Sequence, residues 1–183
     1  VQYQWILHNF VGHTDRVSSV AFSQDGTRVL TGSWDKSAKL WDTQTGRLVR
    51  TFSGHKSAVL SVAYSPEGTR IATGSGSPEN EIRIWDVNTG ELVYTLKGHS
   101  GPVLTLDYSP NSLQLISGSN DKTAKVWNMI HGELSLTLAD HDNAVSSVAF
   151  SGRFESDKAV SASWDGTAKI WWMWESLSVR VID

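Results

Sequence analysis

Four histidines, His13, His55, His99 and His141, each stand 28 to 30 residues ahead of a tryptophan: Trp41, Trp85, Trp127 and Trp171. Between them lie a serine and an acid: Ser33 and Asp35, Ser75 and Glu79, Ser119 and Asp121, Ser163 and Asp165. Serine, histidine and aspartate within hydrogen-bond reach supply a nucleophile, its base and the group that orients the base. Catalysis needs one such copy with an oxyanion hole, whereas here the trio recurs three to four times, and no GxSxG elbow occurs. Read as metal ligands, the histidines are 42 to 44 residues apart, one per unit, and too distant to share an ion. The glycine-rich turns lack the strand-to-helix setting of a phosphate loop. No catalytic residue, metal or other cofactor is therefore expected. His8 and His131 stand outside the pattern and are expected at the surface.

The repetition is what needs a structural account. GSWDKSAKLWD (Gly32 to Asp42) returns as GSGSPENEIRIWD (Gly74 to Asp86), GSNDKTAKVWN (Gly118 to Asn128) and ASWDGTAKIWW (Ala162 to Trp172). Each unit reads as short strands separated by turn signals. In the first, VSSVAF (Val17 to Phe22) precedes the turn SQDG, the strand Arg28 to Ser33, the turn WDKS, the strand Ala38 to Trp41, the turn DTQTG and a fourth strand, Arg47 to Phe52. Gly, Asp, Asn and Ser supply positive φ or local hydrogen bonds at those turns. Two insertions, one between Ser75 and Trp85 and one in GRFESDK (Gly152 to Lys158), fall in turns, where extra residues are tolerated. No long amphipathic helix is visible. The class is all-β, with repeats at about residues 6–47, 48–91, 92–133 and 134–182 of a single unit covering 1–183. One four-stranded unit cannot bury both of its apolar faces. Stacking such units around an axis does so, which predicts β-propeller blades, four antiparallel four-stranded sheets per chain.

Composition narrows the partners. A net charge of −3, with Lys and Arg interleaved among acids, predicts no general attraction to nucleic acid or to an anionic membrane. No apolar run reaches the length of a membrane span, and VQYQWILHNF has no signal-peptide pattern. The absence of cysteine removes any disulfide framework, suits a reducing compartment and gives a cytoplasmic expectation. A first residue other than Met points to an excised or engineered piece.

On the dipeptides Gly12-His13, Gly54-His55, Gly98-His99, Trp41-Asp42 and Trp85-Asp86, the chain resembles the WD40-repeat β-propeller family from about residue 6 to 182. Asp140-His141, Trp127-Asn128 and Trp171-Trp172 depart from the family pattern. The resemblance implies a polar network in each blade: the turn acid accepts from the imidazole, the imidazole meets the serine hydroxyl, and that hydroxyl takes the indole N–H. It maps to His13, Ser33, Asp35 and Trp41; to His99, Ser119, Asp121 and Trp127; and to His141, Ser163, Asp165 and Trp171. In the second repeat His55, Ser75 and Trp85 are joined by Glu79, longer than the expected Asp.

Family resemblance also places partner contacts on one face of the ring. They would come from Trp34, Asn120 and Trp164, each just before the turn Asp, with Pro78 the equivalent in repeat two. They would come as well from the residues flanking the first apolar position of each opening strand: Arg16 and Ser18, Ala58 and Leu60, Pro102 and Leu104, Ala144 and Ser146. The implied function is a non-catalytic scaffold holding other proteins or peptides on its top face and rim. The alternatives are a propeller binding a small molecule or glycan in its channel, an enzyme, or a fragment or designed half-propeller with no function beyond self-assembly.

The ends carry a surplus. ILHNFVGH (Ile6 to His13) aligns with LVRTFSGH (Leu48 to His55) as a fourth-type strand, while ESLSVRVI (Glu175 to Ile182) sits where the last repeat needs its own. The expectation is half of an eight-bladed ring closed by a homodimer, each opening strand completing the other copy's last blade. The rivals are a piece of a longer propeller and a ring of four blades closing alone. The aromatic tail Trp171, Trp172 and Trp174 has no explanation in the pattern.

Overall fold

The computed structural model describes residues 7–152 and 158–173. All regular structure within them is β. The first sheet runs β1 (Val17–Phe22), β2 (Arg28–Ser33), β3 (Ser37–Asp42) and β4 (Leu48–Ser53), in sequence order. The second holds β5 (Val59–Tyr64), β6 (Arg70–Ser75), β7 (Ile82–Asp86) and β8 (Leu92–Leu96), and the third β9 (Val103–Tyr108), β10 (Gln114–Ser119), β11 (Ala124–Asn128) and β12 (Glu133–Leu138). The last, β13 (Val145–Phe150), β14 (Lys158–Ser163) and β15 (Ala168–Trp172), has three strands among the described residues. The expected fourth strand at Glu175 to Ile182, Trp174, and most of the second insertion lie outside them. Every pairing is antiparallel.

Sequential hairpins follow from the turns. Asp42 Oδ1 accepts from the backbone N–H groups of Gln44 and Thr45, and Gly46 closes the loop at φ 70° by donating to Asp42 O. Asp86 with Gly90 and Asn128 with Gly132 build the same turn. Asn128 therefore does the work of aspartate, because the turn needs only a side-chain oxygen at that point.

The opening strands β1, β5, β9 and β13 line up side by side, one per sheet. Three apolar cores form, each shared by two neighbouring sheets. Leu30, Ala38, Leu40 and Phe52 of the first sheet meet Val59, Val62, Ile71 and Trp85 of the second. Ala72, Ile82, Ile84 and Leu96 meet Val103, Leu115 and Trp127, and Ile116, Ala124, Val126 and Leu138 meet Val145, Val148, Phe150 and Trp171. Glycine makes this spacing possible: a methyl added to Gly32 would lie 2.7 Å from Val62 and 2.8 Å from Val59. Gly74 and Gly118 lie equally close under Val103 and Val145.

Residues 7–13 form no strand within the single chain, where none of the described strands pairs with them; the expectation places their partner in a second copy. They are nonetheless held in place. His8, half-buried and not fully at the surface as expected, bonds Gln44 O at 3.0 Å, and Phe10 lies 5.5 Å from Trp41, as Phe52 lies 5.8 Å from Trp85.

Candidate functional site

In each sheet the imidazole enters from the loop before the opening strand and meets the acid of the turn between the second and third strands. His13 Nδ1 lies 2.7 Å from Asp35, His99 Nδ1 2.8 Å from Asp121, and His141 Nδ1 2.7 Å from Asp165. The same carboxylates accept the backbone N–H of Thr14, Ser100 and Asp142, tying the loop to the turn. Glu79 fills the place of aspartate in the second sheet. Its Oε2 lies 2.9 Å from His55 Nδ1 and accepts from the N–H groups of Lys56 and Ser57, while Oε1 accepts from Arg83 at 2.9 Å. The longer side chain spans the extra width of the inserted turn, and Arg83 replaces the hydroxyl that Ser37, Thr123 or Thr167 offers the acid elsewhere.

The hydroxyl in the network is not the one expected. His13 Nε2 and the Trp41 indole N–H both meet Thr31 Oγ1, at 2.7 and 2.8 Å, in place of Ser33. Thr73 replaces Ser75, Ser117 replaces Ser119 and Ser161 replaces Ser163. Register explains the shift. Trp41 pairs with Val29 and Lys39 with Thr31, so the indole reaches a hydroxyl two residues along the neighbouring strand but not four. Ser33, Ser119 and Ser163 instead accept the N–H of Asp35, Asp121 and Asp165 and donate to Asp15, Gly101 and Asn143 carbonyls. Ser75 bonds both ways with Glu81. The usable signal was the residue two before each predicted serine, a hydroxyl in all four repeats.

These sets are closed. Nδ1–H donates to the carboxylate, so Nε2 of the neutral imidazole accepts the hydroxyl O–H while the hydroxyl oxygen accepts the indole N–H. Thr73, Ser117 and Ser161 are wholly buried, which leaves a substrate no approach to them. Burial opposes the charge on Asp35 and Asp121, yet hydrogen bonds from their own turns and from the imidazoles outweigh it and hold both carboxyls far below the usual range. Asp165 is held low chiefly by the Thr167 hydroxyl. His55 is shifted down by burial, with Glu79 only partly offsetting it. A cavity of about 520 Å³ beside this sheet is lined by Lys56, Pro78, Glu79, Glu81, Arg83, Thr95 and Lys97. Its acids are already engaged, Glu79 as above and Glu81 with Lys97 at 2.9 Å.

The residues expected to face partners gather at one corner of each sheet. Trp34 donates its backbone N–H to Arg16 O, and the Arg16 guanidinium lies 4.1 Å over its ring. Asn120 bonds Pro102 O and Trp164 bonds Ala144 O in the same way. In the second sheet Gly76, not Pro78, makes this bond, to Ala58 O, because the inserted residues follow Gly76. Ser18, Leu60, Leu104 and Ser146 sit at β-bulges on the opening strands, which re-aim a side chain out of the regular alternation. Arg16, Trp34, Asn120 and Trp164 are exposed, while Leu60 and Leu104 are half-buried.

Stacked antiparallel sheets, each braced by an acid, an imidazole, a hydroxyl and an indole, define a β-propeller repeat protein. The chain belongs to the WD40 family: the model "WD domain, G-beta repeat" matches residues 4–42, 46–86, 90–128 and 132–171. Similar curated proteins match over about the length of one repeat. "COMPASS component SWD3" of Saccharomyces cerevisiae is 46% identical over 46 residues, 25% of this chain and 15% of that protein. "Pre-mRNA-processing factor 17" of Homo sapiens is 40% identical over 43 residues, 24% of this chain and 7% of that protein. "Vegetative incompatibility protein HET-E-1" of Podospora anserina is 48% identical over 48 residues, 25% and 4% respectively. The matches span a small part of these relatives' length.

Proposed function

We propose that this chain is a non-catalytic scaffold that binds other proteins or peptides through its top face, formed by the sheet corners where Arg16, Trp34, Leu60, Leu104, Asn120 and Trp164 lie. The observation that carries this reading is the pair of exposed tryptophans, 42% and 64% for Trp34 and Trp164, on turns held by rigid braces. Large aromatic side chains fixed on a stiff frame lose little entropy on binding and are typical interface anchors. Relatives named as a COMPASS component and a pre-mRNA-processing factor support a role among protein partners. The structural residues of the frame are the four acid–imidazole–hydroxyl–indole sets. In this reading the chain supplies half of an eight-bladed ring, completed by a second copy with exchange of the opening strand. A cysteine-free composition keeps the cytoplasm as its expected location.

Affinity capture with the wild type and with a Trp34→Ala, Trp164→Ala double variant tests the scaffold. Proteins retained by the wild type should be lost by the variant at an unchanged melting temperature. Equal retention by both would remove the proposed surface.

A further inference from the structure

The two ends of the sheet array expose apolar faces whose counterparts at the other sheets are buried or half-buried among the described residues. On β1, Val17, Val20 and Phe22 are 50%, 67% and 68% exposed, whereas the matching Val145, Val148 and Phe150 of β13 are 0%, 6% and 8%. On the last sheet, Val160 and Ile170 are 38% and 48% exposed, and Ala168 is exposed as well. Their counterparts Leu30, Ala72 and Ile116, Leu40, Ile84 and Val126, and Ala38, Ile82 and Ala124 are buried. The β1 face is the kind that β5, β9 and β13 turn toward the preceding sheet. The β14–β15 face is the kind that each earlier sheet turns toward the next. The chain thus carries both halves of a junction that it makes three times internally.

We propose that a second copy of this chain docks head to tail, its β1 face packing on the open β14–β15 face. This rests on the half-ring reading above and specifies its contact. Phe10 stands over Trp41 where Phe52 stands over Trp85, so one copy already holds the aromatic that the other's last sheet lacks among the described residues. The Ser18 hydroxyl reaches both Gly32 O in its own sheet and Val59 O in the next. Ser146 has the first of these contacts, to Ala162 O at 3.3 Å, and faces Val17 O of the second copy for the other. Two copies give eight blades, within the range of about four to eight that propellers adopt, and three would exceed it. In the closed ring Trp164 of one copy comes to stand beside Arg16 and Trp34 of the other. One junction differs from the internal three: Ala162 occupies the position of Gly32, Gly74 and Gly118, so the closing contact is looser by a methyl.

Light scattering of the full chain at about 50 µM tests the proposal, with a mass twice the 20.1 kDa of one chain expected. Val20→Asp and Ile170→Asp, both at exposed sites, should each give a folded species of single-chain mass. Orientation is read from disulfides, since the chain has no cysteine of its own. A methyl at Gly32 would lie 3.6 Å from Val59 Cβ, within bridging range. Val17→Cys chains mixed with Ala162→Cys chains should therefore give a covalent dimer under mild oxidation, and neither alone should. Three results would overturn the proposal: a wild type of single-chain mass, an Asp variant that keeps the doubled mass, or bridging of Val17→Cys chains with one another, which would mean that like faces meet. These readouts are independent of partner capture, so the scaffold reading can stand or fall separately.

Discussion

Two strands of the molecule, β1 and β13, carry the same six residues, VSSVAF, at the same place in their sheets. Both pair with the following strand, and both have a bulge at the first serine. In β13 the two valines and Phe150 are buried against the third sheet, while in β1 their equivalents face solvent. β-Branched and aromatic residues with alternating exposure are enough to make either strand. What such a strand contributes to stability depends on the surface placed opposite, because burial scales with area removed from water and not with residue type.

The strongest way to break this contrast is to put the same charge into both strands. Val148→Asp leaves an unpaired charge in the core and should cost about 3–5 kcal/mol in urea unfolding. Val20→Asp, measured dilute enough to keep chains apart, should stay within about 0.5 kcal/mol of the wild type. Equal costs would mean that β1 is covered after all. The internal braces should ignore the difference between the ends. Thr31→Val beside β1 and Ser161→Ala beside β13 each strand a buried indole N–H and an imidazole nitrogen, so each should cost about 1–3 kcal/mol. Ser33→Ala removes the bonds to Asp35 N–H and Asp15 O but leaves the indole and imidazole paired, so it should cost about 1 kcal/mol, and a larger loss there than at Thr31 would contradict the observed network.

Acid should likewise loosen both ends together. Asp35 and Asp165 have folded pKa values below the ordinary 3.8, so the unfolded chain takes up protons first as pH falls. Their contribution is present above about pH 4 and is lost progressively below it. His55 is depressed from 6.5, so the unfolded state also gains protons first below that value, and stability should begin to decline there. A denaturation midpoint that rises between pH 6.5 and 5 would contradict this, and His55→Gln should flatten that part of the profile. The smallest effect concerns the closing junction. Ala162→Gly restores the close approach made at Gly32, Gly74 and Gly118, and sedimentation equilibrium should show the dimer dissociation constant falling several-fold. A weaker dimer would separate the closing contact from the internal ones.

Most of the fold was legible from repetition. The spacing of Trp41, Trp85, Trp127 and Trp171 and the turn residues between them predicted four units of short antiparallel strands, and the first insertion fell in a loop. The site was legible by residue type and misplaced by two positions. Thr31 and Ser33 lie on the same side of β2 and both carry hydroxyls, and only the pairing of Trp41 with Val29 decides which one the indole reaches. Pro78 was matched by counting back from the tryptophan. The backbone bond from Gly76 to Ala58 shows that the inserted residues come later in the turn.

By itself the sequence determined the number of units, the class of each and the chemistry of their braces, because strand periodicity, turn geometry and recurring polar residues are local properties. Only the tertiary structure decided which hydroxyl completes each brace and which apolar faces are left open. Those depend on register and on neighbouring sheets, which bring together residues far apart in the chain. For that reason one hexapeptide can be core in β13 and surface in β1.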